Sequence, residues 1–458
     1  MGETSIKQTE GTSKRTYFAI DLNEKARWRN LFTMVAIMFV LQISFQIWSI
    51  ILPRYLMEIG GLERQHLGKM TGAMGITYDL IRITFVGVFG ALSDKFGRKT
   101  LLFAGAVVSA LSYFYFAFTP EMSLLLGINL IIPAYIARIV IAFSMQMMSP
   151  QLLPTFFDYT LPNCRGRIAS LYGATMTLGV FLAYRILGPL NKALGIRDFI
   201  LLGTWISLAV MFLTWLGVID LAPAREKVGF KWKKILSTTK DSFKNFGKAW
   251  PIVRKNPALL FCYAVAFVEK SDISVQVYFF MAWAVVVAQK FQMTRAEATA
   301  DAAGSISWGA LMGLVTYFVG GLIIDRFGRK FCLMVGLLFS GIAFVVLGFL
   351  NSPFLVWATA AIALRGFGTS AATLSTYALI SDLSPKELVG TILGGYHMAA
   401  AAGMMIVGAI AMFLFDYVGY SYPFALAGGM DLIVFVWGIL IWKKIPERKY
   451  AASDQVDS

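Results

Sequence analysis

A chain of 458 residues that is 57% hydrophobic and 15% charged, with a mean hydropathy of +0.66, lies far from the composition of water-soluble domains. Its net charge of +15 raises the possibility of nucleic acid binding, but the basic residues lie mostly between long apolar stretches and not on one polar surface, which argues against that partner. Cys164, Cys262 and Cys332 are too few and too scattered for a disulfide framework or a CxxC metal site, and no phosphate-binding glycine-rich loop ending in Lys-Ser or Lys-Thr occurs, so no cofactor or ATP-driven step is expected.

In chain order, residues 1–29 read as a charged tail. Twelve apolar stretches follow, at 30–53, 71–93, 100–118, 124–148, 166–188, 198–220, 257–288, 303–324, 331–350, 353–379, 386–415 and 421–442. Each is about 20 residues or more, enough to cross a hydrocarbon core of about 30 Å as a helix. The first lacks a small-residue cleavage site and is too long for a signal-peptide core, so it reads as a retained span.

Residues 221–256 form a basic linker in which Trp232, Ile235, Leu236, Phe243, Phe246 and Trp250 recur at near-helical spacing. This fits a helix lying in the membrane interface, the alternative being a solvated linker with incidental aromatics. Residues 443–458 form a second tail. Of the 41 Lys and Arg residues, 29 fall in the two tails and the segments on their side, 7 in the segments on the other side and 5 within spans. The positive-inside rule then places both termini in the cytoplasm of a cell membrane.

The chain repeats itself. Gly90-Ala-Leu-Ser-Asp94-Lys95-Phe96-Gly97-Arg98-Lys99 returns as Gly321-Leu-Ile-Ile-Asp325-Arg326-Phe327-Gly328-Arg329-Lys330, shifted by 231 residues with six of ten positions identical. Arg138, followed by Asp158, returns as Arg365, followed by Asp382, with shifts of 227 and 224. Landmarks displaced in the same order by half the chain imply two six-helix halves, 30–220 and 257–442. The expected fold is an all-α membrane protein of twelve transmembrane helices in two pseudo-symmetric bundles.

The duplicated Asp-basic-Phe-Gly-Arg-Lys loop after spans 2 and 8 resembles the loop signature of the major facilitator superfamily, G-x-L-x-D-[RK]-x-G-R-[RK]. The resemblance covers nearly the whole chain apart from the tails and the linker. It implies a gate in which Gly90, Asp94, Gly97, Arg98 and Lys99, with their counterparts Gly321, Asp325, Gly328, Arg329 and Lys330, hold the cytoplasmic side. In the family the loop aspartate faces the start of a helix in the opposite half, where the helix dipole favours negative charge. Ser384-Pro385-Lys386-Glu387 has a capping-box pattern, so Asp94 is expected at the start of span 11 and Asp325 near Pro162 and Asn163 at the start of span 5.

Arg138 resembles the arginine of helix 4 in proton-coupled members, although Ala142 and Ser144 stand where those members have glycines. Arg365-Gly366-Phe367-Gly368 keeps the fuller pattern. The glycine-rich signature of drug and proton antiporters is half present, as Gly188-Pro189.

An ionisable side chain at mid-membrane costs about 2.5–3.5 kcal/mol and needs a partner, water or a function. Gln42 and Gln46 on span 1, Arg138 on span 4, Glu269, Lys270 and Asp272 on span 7, and Arg365 on span 10 lie on the helices that line the cavity in the family. Gln42, Gln46, Arg138, Glu269, Asp272 and Arg365 are therefore expected to form a central substrate site. Asp79, three residues before Arg82, and the Glu269–Asp272 pair are the candidates for proton coupling.

The expectation is a monomeric secondary transporter that moves a small organic solute across a lipid bilayer with protons, with an anionic or carboxylate-bearing substrate the simplest match to two cavity arginines. A facilitative uniporter or a drug/proton antiporter of the same fold is the alternative, and a membrane sensor that does not transport is a remoter one. No nucleophile–base pair or metal cluster suggests an enzyme. Asp431, in the middle of span 12, has no role in this reading.

Overall fold

The computed structural model describes residues 16–17, 20–161, 164–221, 250–385 and 388–445. Most of the linker, with Trp232, Ile235, Leu236, Phe243 and Phe246, lies outside the described residues, as do Pro162, Asn163, Lys386 and Glu387.

Two short strands, β1 (Thr16–Tyr17) and β2 (Ile20–Asp21), pair antiparallel ahead of the first long helix. The segment after them is laid across a helix turn: the amide of Asn23 donates to the carbonyl of Tyr159, and the amide of Leu161 to that of Asp21, each at 3.0 Å.

Twelve long helices follow among the described residues. The first half holds α1 (Trp28–Glu58), α2 (Leu67–Phe96), α3 (Arg98–Ala117), α4 (Ile131–Asp158), α5 (Arg165–Ala193) and α6 (Ile196–Gly217). The second half holds α7 (Pro257–Phe291, with a π turn at Gln276–Phe280), α8 (Arg295–Phe327), α9 (Arg329–Phe349), α10 (Val356–Leu383), α11 (Val389–Phe413, prolonged by a π turn at Leu414–Val418) and α12 (Tyr422–Leu440). Eleven of these stretches are long and apolar enough to cross a membrane. The twelfth, α10, is 28 residues long, and Arg365 with its run of serine and threonine lowers its hydropathy because that face lines a polar cavity. Side chains such as Trp205, Phe318, Val356 and Leu440 point outward, as the apolar surface of a multi-pass membrane protein requires.

The span 4 boundary is corrected. Residues Thr119–Leu126 form a separate short helix that stops at Gly127, whose φ of 61° ends it in the left-handed region, and α4 starts only at Ile131. Arg138 consequently sits two turns into its helix and not at mid-span. Helix starts elsewhere follow local rules. The Asn256 side chain accepts from the amides of Ala258 and Leu259 ahead of α7, and Thr294 and Glu297 cap one another at the start of α8.

The two halves repeat the same packing. α3 packs on α4 and α6 as α9 does on α10 and α12, α2 on α4 as α8 on α10, and α1 on α5 and α6 as α7 on α11 and α12. Between the halves, α5 meets α8 and α2 meets α11.

The duplicated loops have the same backbone geometry, with Gly97 at φ 90°, ψ 146° and Gly328 at φ 89°, ψ 149°. A side chain is rarely accommodated there, so each glycine allows one helix to stop and the next to start at once. Gly90 and Gly321 lie within α2 and α8 and take no part in the turn. Arg98 pairs with Asp158 at the end of α4, and Arg329 pairs with Asp382 near the end of α10. Lys99 donates to the carbonyl of Trp215 at 2.9 Å, while Lys330 donates to that of Ile445 at 3.3 Å and lies 4.0 Å from the Trp442 ring.

A second correction concerns the expected cap of α11. The amide of Ser384 bonds to the carbonyl of Ile380, so Ser384 closes α10, and α11 starts at Val389 behind Leu388 with no side-chain cap. The side chains of Asp94 and Asp325 lie outside what the structure describes.

The halves touch at the end remote from the termini. There the Asp416 carboxylate, just past α11, accepts from the amides of Gly68 and Lys69 in the first turn of α2, at 2.7 and 2.8 Å. Lys192 and Glu297 pair at 3.1 Å between α5 and α8. Along α2, a Cβ added at Gly68, Gly72 or Gly75 would strike Phe415, Met412 or Tyr278, whereas one at Gly87 or Gly90 would meet nothing within 4 Å. Gly173 on α5 and Gly394 on α11 are equally open. The halves are therefore closed at the far end and splayed towards the termini.

Candidate functional site

Between the halves lies a cavity of about 500 Å³ bounded by side chains from both. Gln42 and Gln46 of α1, Arg138 of α4 and Arg365 of α10 line it, in the company of Asp79, Arg82 and Lys270.

On the first-half wall, the Arg138 guanidinium lies 4.8 Å from the Trp48 ring and 4.4 Å from the Tyr78 ring, and its Nε donates to the Met74 carbonyl at 3.3 Å. The two ring faces hold the cation without neutralising it. Asp79 pairs with Arg82 at 3.2 Å, one turn away, and accepts from the Tyr278 hydroxyl of α7 at 3.0 Å. That tyrosine also donates to the Gly75 carbonyl at 3.2 Å and so crosses between the halves. Gln46 accepts from Ser49 at 3.3 Å, and Ser49 in turn contacts the Tyr184 hydroxyl at 3.2 Å.

On the second-half wall, Arg365 donates to Gln276 at 2.5 Å and lies 5.5 Å from the Phe344 ring. Its position depends on two close approaches of the α10 backbone. A Cβ at Gly366 would lie 2.0 Å from the Gly309 carbonyl oxygen of α8, and one at Gly368 would lie 2.6 Å from the Ser340 amide of α9. Bare backbone at both positions lets α10 sink between its neighbours and turns Arg365 to the cavity.

Glu269 and Asp272 are placed differently from the sequence expectation. Neither lines the cavity; Lys270 between them does. Glu269 is buried behind the wall, paired with Lys270 at 2.9 Å and bonded by the Thr373 hydroxyl of α10. Asp272 points further away, accepting from Ser340 of α9 at 3.0 Å. Three residues of separation puts them on neighbouring parts of one helix face, but the partners they meet come from different helices. His397 of α11 stands 5.4 Å from the Tyr396 ring and outside the cavity lining.

The structure adds cavity residues that sequence reasoning passed over: Trp48, Tyr78, Gln276 and Tyr278. The aromatic ones looked like ordinary packing or lipid-facing residues, and Gln276 and Tyr278 lie in the π turn, where helical spacing shifts by a residue. Five charged side chains line the cavity among the described residues, four basic and one acidic.

A family model described as Major Facilitator Superfamily matches residues 32–299 and 271–456. The magnetosome protein MamH of Paramagnetospirillum magneticum is 24% identical over 392 residues, covering 86% of this chain and 88% of that protein. The magnetosome protein MamZ of the same organism is 22% identical over 408 residues, and the chain spans 61% of its length. The solved D-xylose–proton symporter superposes with a TM-score of 0.66 at 17% identity, covering 92% of this chain and 99% of the other.

Proposed function

As this chain belongs to the major facilitator superfamily, we propose that it is a secondary transporter of a small organic anion, driven by protons and working by alternating access. The observation that carries the substrate class is the charge of the cavity wall, where Arg82, Arg138, Lys270 and Arg365 outnumber the single lining carboxylate, Asp79. A carboxylate or similar anion offsets part of that excess, and Gln42, Gln46 and the aromatic side chains supply hydrogen bonds and apolar contact for the rest of the solute. Glu269 answers Lys270 from behind the wall, which leaves Arg138, cradled by ring faces, as the least neutralised cation.

Proton drive is the mode named for the structurally similar D-xylose symporter. In this chain the groups suited to it are Asp79, Glu269 and Asp272, each a carboxyl held in a buried setting. Asp79 is the most directly linked to the solute site, since it binds Arg82 and, through Tyr278, the opposite half. Neutralising it would weaken both contacts at once and so couple a proton to the relative position of the halves. With the basic tails and loops on the cytoplasmic side, the splayed end faces the cytoplasm, and Asp94 and Asp325 serve as gates that close that side in the opposite state.

Purified protein in liposomes tests this. Carboxylate-bearing solutes should raise its unfolding temperature more than neutral or cationic ones, and uptake of the stabilising solute should depend on a proton gradient. Uptake unaffected by collapsing the gradient would sink the coupling, and stabilisation confined to cations would sink the substrate class.

A further inference from the structure

Asp431 lies in the middle of α12, a helix that contributes nothing to the cavity lining, and is 0% exposed. Neither of its carboxyl oxygens has a hydrogen-bond donor among the described residues. It packs beside Ser340 of α9, since a Cβ added at the next residue, Gly341, would lie 3.2 Å from the Asp431 Cβ, and Ser340 bonds a second buried carboxyl, Asp272 of α7, 1% exposed. One oxygen of Asp272 accepts from Ser340, and the other has no donor either. Two carboxylates side by side in an apolar interior repel one another and lack the water that would screen them. A single proton between them removes the repulsion and supplies the missing donor.

The surrounding charges lead to the same count. The ionisable groups that act on this pair are Glu269 on α7 and Arg365 on α10, with the hydroxyl of Ser340 from α9. Lys270 is taken up by Glu269, and His397 of α11 stands against Tyr396 and Tyr377. The cluster thus holds three carboxyls, Glu269, Asp272 and Asp431, against two cations, Lys270 and Arg365; one proton brings it to neutrality, which is the condition for burial. A route to the cavity is present. Thr369 lines the cavity, its hydroxyl is 3.5 Å from that of Ser340, and Ser340 donates to Asp272.

We infer that Asp272 and Asp431 form a buried proton-binding site that shares one proton and exchanges it with the cavity through Ser340 and Thr369. The proton moves from cavity water along the two hydroxyls to a carboxyl oxygen, and no other bond changes. When the proton leaves, the surplus negative charge falls beside Arg365, so occupancy of this site governs how strongly Arg365 is drawn from the cavity. Use of the site in transport rests on the proton-driven reading above; its existence does not.

Infrared difference spectra of the purified protein in lipid, recorded on raising pH and on exchange into heavy water, test the site. The wild-type protein should show a protonated carboxyl band, retained in Asp79→Asn, that shifts in heavy water and disappears at high pH. Asp431→Asn and Asp272→Asn should each abolish it, because the remaining carboxyl is left to ionise against Arg365, whereas Glu269→Gln, which keeps the two carboxyls side by side but removes one negative charge from the cluster, should keep the band and make it disappear at lower pH. Ser340→Ala should keep the band and slow its isotope exchange at least tenfold. A band that persists unchanged in both aspartate variants, or no such band in the wild type, overturns the proposal. The near-isosteric amides guard against loss of folding, and the wild-type spectrum decides the matter if either variant fails to fold. The band without gradient-driven uptake would leave the site standing and remove the coupling; gradient-driven uptake without the band would do the reverse.

Discussion

Arg138 shows what a single residue contributes and how far its role is visible in the chain. Its position on an apolar stretch marks it as functional, and its repeat partner Arg365 marks it as part of a pair. The sandwich between Trp48 and Tyr78 was not legible, because both rings come from other helices and neither carries a charge. The planar guanidinium is what those rings hold. Arg138→Lys keeps the charge but loses the stacking, and should weaken binding of the proposed anionic solute by about tenfold, about 1.4 kcal/mol, as read from ligand titrations of the purified protein. Glu269 and Asp272 teach the opposite lesson. Their spacing was readable and their partners were not, because Thr373, Ser340 and Asp431 lie about 68 to 159 residues further along.

At the scale of the helix, the elements were well marked wherever apolar length and charged ends agreed. Errors came where a polar feature ended one helix instead of starting the next. Ser384 and Pro385 had the pattern of a helix start, but the Ser384 amide was already engaged by Ile380. Gly127 ended a short helix that apolar length alone had merged with α4. Glycines divide the same way, because their meaning depends on the neighbouring helix. Gly366→Ala places a methyl group on the Gly309 carbonyl and should destabilise the protein by about 1–3 kcal/mol. Gly90→Ala, facing open space in this state, should leave stability unchanged or raise it by up to about 1 kcal/mol. Thermal unfolding of the two variants side by side makes the comparison, and equal losses would contradict the splayed arrangement.

For the molecule as a whole, the internal repeat made the architecture legible. Two copies of one loop predicted two bundles, and the matching glycine dihedrals and the matching Arg98–Asp158 and Arg329–Asp382 pairs are that repeat in three dimensions. The state of the molecule was not legible, since both bundles keep the same internal packing whichever end is closed. It is visible in the contrast along α2 between filled and empty space beside its glycines. Asp416→Asn should weaken the far-end closure by about 1 kcal/mol and shift the population towards the state open at that end. Distances between spin labels on α2 and α11 at the two ends would register it; an unchanged distribution would show that the other far-end contacts suffice.

The Asp416 contact also has a genetic consequence. Its donors are main-chain amides of Gly68 and Lys69, which every residue except proline supplies. The Lys69 amide thus survives any substitution but proline, whereas Gly68 does not share that freedom, since a Cβ there would lie 2.6 Å from the Asp416 carboxylate. Selection for variants that favour one state over the other should strike codons 68 and 416 repeatedly, by added bulk at the first and lost charge at the second, and pass over codon 69 as far as its amide is concerned.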